Sequence, residues 1–112
     1  MKKLIVLFVS GLMSLTAMAQ QSALVGTWQQ LDNNGNPTTN VKIFMPDGKL
    51  LGQCFNDEFT VSSVWFMSNY KVLNDSSYVD HEFYHSNILY QHDYFFTFHK
   101  ESDNVLVTSY ID

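Results

Sequence analysis

After Ala19 the chain alternates apolar and polar side chains with a period of two almost everywhere, and no stretch carries a sustained i, i+3, i+4, i+7 stripe. An extended strand sends successive side chains to opposite faces, whereas a helix brings them round about every 3.6 residues. This pattern restricts the chain to sheet and excludes a helical or mixed α/β domain.

Turn-forming residues punctuate the alternation. Leu24–Leu31 reads as a first strand, closed by Asp32-Asn33-Asn34-Gly35-Asn36-Pro37. Val41–Met45 is a second. Pro46-Asp47-Gly48 then supplies a fixed φ and a residue tolerant of positive φ, which suits a hairpin returning through Lys49–Phe55. Asn56-Asp57-Glu58 breaks that strand. Phe59–Trp65, Ser68–Leu73 and Ser77–His85 follow, with Asn74-Asp75-Ser76 as the last turn among them. Asp93–His99 is rich in aromatics, Lys100 to Asn104 is polar, and Val105–Ile111 is the final strand. About eight short strands at regular spacing predict an antiparallel up-and-down barrel or a sandwich.

The N-terminus follows a different rule. Met1-Lys2-Lys3 is basic, Leu4 to Leu15 is apolar apart from small residues, and Ala17-Met18-Ala19 places small side chains at the positions a signal peptidase reads. That order defines a cleavable secretory leader over 1–19, and the apolar run is too short to span a bilayer, which takes about 20 residues. Cleavage leaves one domain, 20–112, exported to the periplasm or beyond the cell. Four lysines then face eleven acidic residues, for a net charge of −7, and the chain contains no arginine. The composition opposes nucleic acid as a partner and disfavours anionic membrane surfaces, because both demand clustered basic residues. Cys54 is the only cysteine, so no internal disulfide forms, and within a strand it is expected to behave as a small buried hydrophobe.

Alternation also proposes an interior. In the strand beginning at Ser77, Val79, His81 and Phe83 share one face, while Tyr78, Asp80, Glu82 and Tyr84 share the other, which its charges mark as solvated. Tyr94, Phe96 and Phe98 lie opposite Phe95, Thr97 and His99, two faces apolar enough to suggest a strand covered on both sides. Such lining suits a hydrophobic ligand cavity and equally a filled core.

Three segments carry a family resemblance. Gly26-Thr27-Trp28 is similar to the Gly-x-Trp opening of lipocalins. Lys42-Ile43-Phe44-Met45-Pro46-Asp47-Gly48 and Tyr70 to Val79, in that order behind a leader, resemble exported bacterial lipocalin-like proteins of no assigned function. The resemblance implies a calycin-type barrel with the tryptophan packed across one end. It also implies a basic residue from a late strand stacked on that tryptophan, and a further strand carrying Trp and Arg or Lys. Here there is no arginine and nothing follows Asp112. The barrel is thus expected to be open or to lack its last strand, and an uncovered edge invites pairing with a second copy or another exported protein.

Catalytic patterns are weak. His81, His85, His92 and His99 lie close in sequence to Asp80, Glu82 and Asp93, which are zinc-ligand types. On a strand, however, His81 and His85 sit roughly 13 Å apart, so a metal-dependent hydrolase needs convergence across strands. No serine sits in a Gly-x-Ser-x-Gly context, no glycine-rich phosphate loop exists, and Asp57 and Glu58 are adjacent in a turn. The expectation is a non-catalytic protein without cofactor or metal, holding a small apolar ligand against Trp28, Phe44, Trp65, His81, Phe83, Phe96 and Phe98. The alternative is an interaction module that pairs through its strand edge.

Overall fold

The computed structural model describes the backbone of residues 2–7 and the whole of residues 23–111. The expected leader lies outside the described residues except for Lys2–Leu7. The elements are β1 Lys2–Leu7, β2 Gly26–Leu31, β3 Pro37–Phe44, β4 Lys49–Phe55, β5 Ser62–Asn74, β6 Ser77–His85, β7 Ile88–Ser102 and β8 Val105–Ile111. Each pairs antiparallel with its sequence neighbour, which makes an all-β up-and-down sheet. β2 to β8 curl, and the backbone of β1 pairs with both outer strands, Leu4 opposite Leu31 of β2 and Val107 of β8. The strands thereby form a closed barrel. β2 to β8 alone make a curled sheet consistent with the open barrel expected of 20–112, and its seam is spanned by a segment read in the sequence as part of the leader.

The turns form where their residues predict. Asp32 Oδ1 accepts the Asn34 and Asn36 amides at 2.9 Å each, and Gly48 takes φ +90° between β3 and β4. β6 and β7 are joined by Ser86 and Asn87, both at positive φ (49° and 72°), as in tight hairpin turns of the primed type. That turn lets β7 begin at Ile88, five residues before the strand expected from Asp93.

Two expected strands, Phe59–Trp65 and Ser68–Leu73, are one strand, β5. The cause is a pair of bulges. Gly52 pairs with Phe66 and Gln53 with Val64, which leaves Trp65 as an extra residue. On the other side Met67 pairs with Tyr84 and Ser68 with Glu82, which leaves Phe83 extra in β6. A bulge shifts the alternation without ending the strand, so the interrupted pattern imitates a break.

One end of the barrel is packed solid. Leu24, Trp28, Phe44, Leu50, Tyr70, Tyr78, Phe98 and Leu106 are buried there in one cluster, each large side chain contributing about 1.5–3 kcal/mol by leaving water. Ala23 and Leu24 are helical just before β2, which trims the expected first strand. The Trp28 indole N–H donates to the Leu24 carbonyl at 2.8 Å. Phe44 meets Tyr70 and Tyr78 edge-on at 5.1 and 5.6 Å. Lys100 Nζ, from β7, stands 6.0 Å from the Trp28 ring.

Candidate functional site

The other half of the interior is polar. β3 turns Lys42 inward beside Phe44, β5 contributes Ser68, β6 Asp80 and Glu82, and β8 Thr108; all five are buried. The face of β6 marked as solvated is the inner one: Tyr78, Asp80 and Glu82 are buried in alternation. His81 points outward, its side chain 44% exposed and paired with Asp93 across the β6–β7 ladder. Phe83 occupies the bulge and lies outside the core cluster. Charge misled the choice of face, because a barrel interior can bury carboxylates that have partners around them. The outer face of β7 is likewise open, with Phe95 45% exposed, so the expectation of cover on both sides does not hold.

A cavity of about 210 Å³ is lined by Lys42, Trp65, Phe66, Asp80, Glu82, His85, Tyr94 and Phe96. Of the seven residues expected to line an interior, Trp65 and Phe96 reach this cavity. Trp28, Phe44 and Phe98 are buried at the packed end instead, and His81 and Phe83 are elsewhere. Trp65 reaches it through its bulge, which re-aims the side chain, and its ring meets Phe66 edge-on at 5.0 Å. The Phe66 ring lies over Gly52, where any side chain would collide with it.

Lys42 sits in an aromatic cage, with Nζ 5.8 Å from the Trp65 ring, 5.6 Å from Phe66 and 5.8 Å from Phe96. Ring faces are electron-rich and stabilise a desolvated ammonium. Glu82 accepts hydrogen bonds from the Tyr90 hydroxyl and, at 2.8 Å, from His85 Nδ1. The Tyr90 and Tyr94 hydroxyls lie 3.4 Å apart. Burial pushes the Asp80 carboxyl up to about 6; Glu82 adds to this, while the Ser68 hydroxyl, Lys42 and His81 oppose it. Burial also raises Tyr78, with Asp80 adding to it, so its hydroxyl stays protonated. Ser68 Oγ, Asp80 Oδ1 and Thr108 Oγ1 are buried without a partner of hydrogen-bonding geometry among the described residues.

His85 and Tyr94 also border a second recess of about 320 Å³, completed by Ile88 and Tyr90. These two side chains thus stand between the cavity and the β6–β7 hairpin, where Ile88 and Leu89 are 63% and 79% exposed. On the outer surface of β2 to β4, an apolar groove of about 390 Å³ runs between Thr27, Gln29, Val41, Ile43, Gln53, Phe55 and Phe59.

The four histidines separate. His81 faces outward, His85 binds Glu82, His92 lies against Tyr94 at 4.4 Å, and His99 is exposed. Among the described residues no three His, Cys, Asp or Glu side chains gather as a metal site. Cys54 is half-buried rather than enclosed. Sequence reasoning missed Lys42, Phe66, Asp80, Glu82, His85 and Tyr94 as cavity residues. The signal for Lys42 was present, since it stands two residues from Phe44 on the same strand face. No protein-family model and no curated protein matches the chain.

Proposed function

We propose that this chain is an exported, non-catalytic, lipocalin-like protein that holds a small ligand inside its barrel. The observation that carries the reading is the half-filled interior. One end is packed solid, while the other keeps a cavity walled by Trp65, Phe66 and Phe96 and floored by buried polar groups. A barrel serving only as a rigid body gains nothing from burying Lys42, Asp80 and Glu82, since burying charge is costly. The basic-apolar-small order of 1–19 supports export, and the Gly26-Thr27-Trp28 opening with Lys100 on Trp28 supports the lipocalin-like assignment. Native mass spectrometry of the protein from its host's exported fraction tests the reading. A discrete added mass of a few hundred daltons is expected, and a bare mass under gentle conditions argues for a barrel working through its surface.

A second reading, an interaction module pairing through a strand edge, is favoured by one observation: β1 is hydrogen-bonded between β2 and β8. Any form of the chain without 1–19 offers those two strands as edges. Light scattering on residues 20–112 that gives a monomer at high concentration counts against it.

A further inference from the structure

The cavity holds more carboxylates than ammonium groups. Lys42 contributes one positive charge from β3, and Asp80 and Glu82 two negative charges from β6, all inside the barrel. Glu82 is already bonded by His85 and Tyr90. Asp80 is less fully satisfied: the residue is 4% exposed and lines the cavity, and although the Ser68 hydroxyl lies near enough to favour its charged form, no donor reaches its Oδ1 in hydrogen-bonding geometry among the described residues. A buried acceptor without a donor costs about 1–3 kcal/mol, and an excess buried charge is settled either by a proton or by a counter-charge. The remaining walls are flat and apolar; Lys42 Nζ already lies against them, so they offer a guest ring contact rather than a seat for its charge.

Resting on the carrier reading above, we infer that the guest is a small organic ammonium ion with a flat apolar body, its N–H groups donated to Asp80 and its ring packed between Trp65 and Phe96. Three features point the same way. Asp80 Oδ1 accepts and cannot donate when ionised. The excess negative charge repels a carboxylate or phosphate head. The cavity, about 210 Å³, holds about seven water volumes at roughly 30 Å³ each, which admits one aromatic ring and a short arm but no long acyl chain.

The test is calorimetric titration of the purified protein at pH 8 with three probes sharing one ring: tryptamine, 3-ethylindole and indole-3-propionate. Tryptamine is expected to bind on the order of tenfold tighter than either of the others, and Asp80→Asn is expected to abolish that preference while leaving 3-ethylindole binding in place. Binding of 3-ethylindole or indole-3-propionate as tight as tryptamine overturns the inference and leaves the carrier reading standing. A preference for tryptamine that survives Asp80→Asn overturns the assignment to Asp80. No binding of any probe counts against the carrier reading itself. Should Asp80→Asn fail to fold by circular dichroism, the ranking of the three probes on the unaltered protein decides.

Discussion

Gly52 and Phe66 are register partners across β4 and β5, and the Phe66 ring fills the space a side chain on Gly52 needs: a Cβ built there falls 2.2 Å from Phe66 Cε1. The ring is 3% exposed and wedged against Trp65, so it has little room to move aside. Gly52→Ala is expected to destabilise by about 1–3 kcal/mol, the usual cost of overpacking a core, read as a lower urea midpoint. In the double variant with Phe66→Ala the added penalty of the alanine is expected to vanish. A penalty unchanged in that background places the clash elsewhere.

Asp80 makes stability depend on pH in an unusual direction. Its carboxyl is held at about 6 in the fold against 3.8 for a free side chain, with burial as the main cause. The folded state therefore keeps the proton through a range in which the unfolded chain has released it. This group's contribution to stability is fully present below about pH 4 and is lost as pH rises through about 6. The groups around it are Ser68 on β5, Lys42 on β3, and Glu82 and His81 on β6. Two units amount to roughly 3 kcal/mol, an upper bound because the neighbouring charges readjust. Asp80→Asn is expected to raise the melting temperature at pH 8 and to flatten its dependence between pH 4 and 6. A variant less stable at pH 8 than the parent would sink this account.

Trp28 bridges the barrel end to the residues before it through the indole bond to Leu24, and both are 0% exposed. Trp28→Phe removes that bond and leaves a void the width of a fused ring. A loss of about 2–4 kcal/mol is expected, measured by denaturant unfolding, without loss of the barrel's circular-dichroism signature.

The two tryptophans give the cavity an optical readout. Trp65 lines it and Trp28 belongs to the packed end. A guest is expected to change the fluorescence of a Trp28→Phe protein, in which only Trp65 emits. The emission of Trp65→Phe should stay nearly constant. The reverse pattern would place the binding site away from this cavity.

Local chemistry was legible in the sequence and inward direction less so. The Pro46-Asp47-Gly48 turn and the bounds of β4, β6 and β8 follow from residues a few positions apart. Which face of β6 turns inward does not, because Tyr78-Val79-Asp80-His81-Glu82-Phe83 offers an apolar alternative on one face and charges on the other. The register with β5, where Tyr70 opposes Asp80, decides it, and the single apolar residue that marks the true inner face is Tyr78. Trp65 reached the cavity for a reason alternation cannot express, since its bulge depends on the pairing partner Gly52. Lys42 was overlooked because a lysine reads as solvent-facing until the three rings around it are known.

The backbone pairing of Lys2–Leu7 gives the chain two incompatible uses for the same six residues. As the eighth stave they complete the ring of hydrogen bonds between β2 and β8; as the start of the leader proposed above they would engage an export channel and be cut away. Neighbouring strands lie about 4.8 Å apart, so their departure opens a slot roughly 10 Å wide between two rows of unpaired amides and carbonyls. Removal of the leader would then be more than a change of address: it would turn a sealed ring into a receptor for one strand.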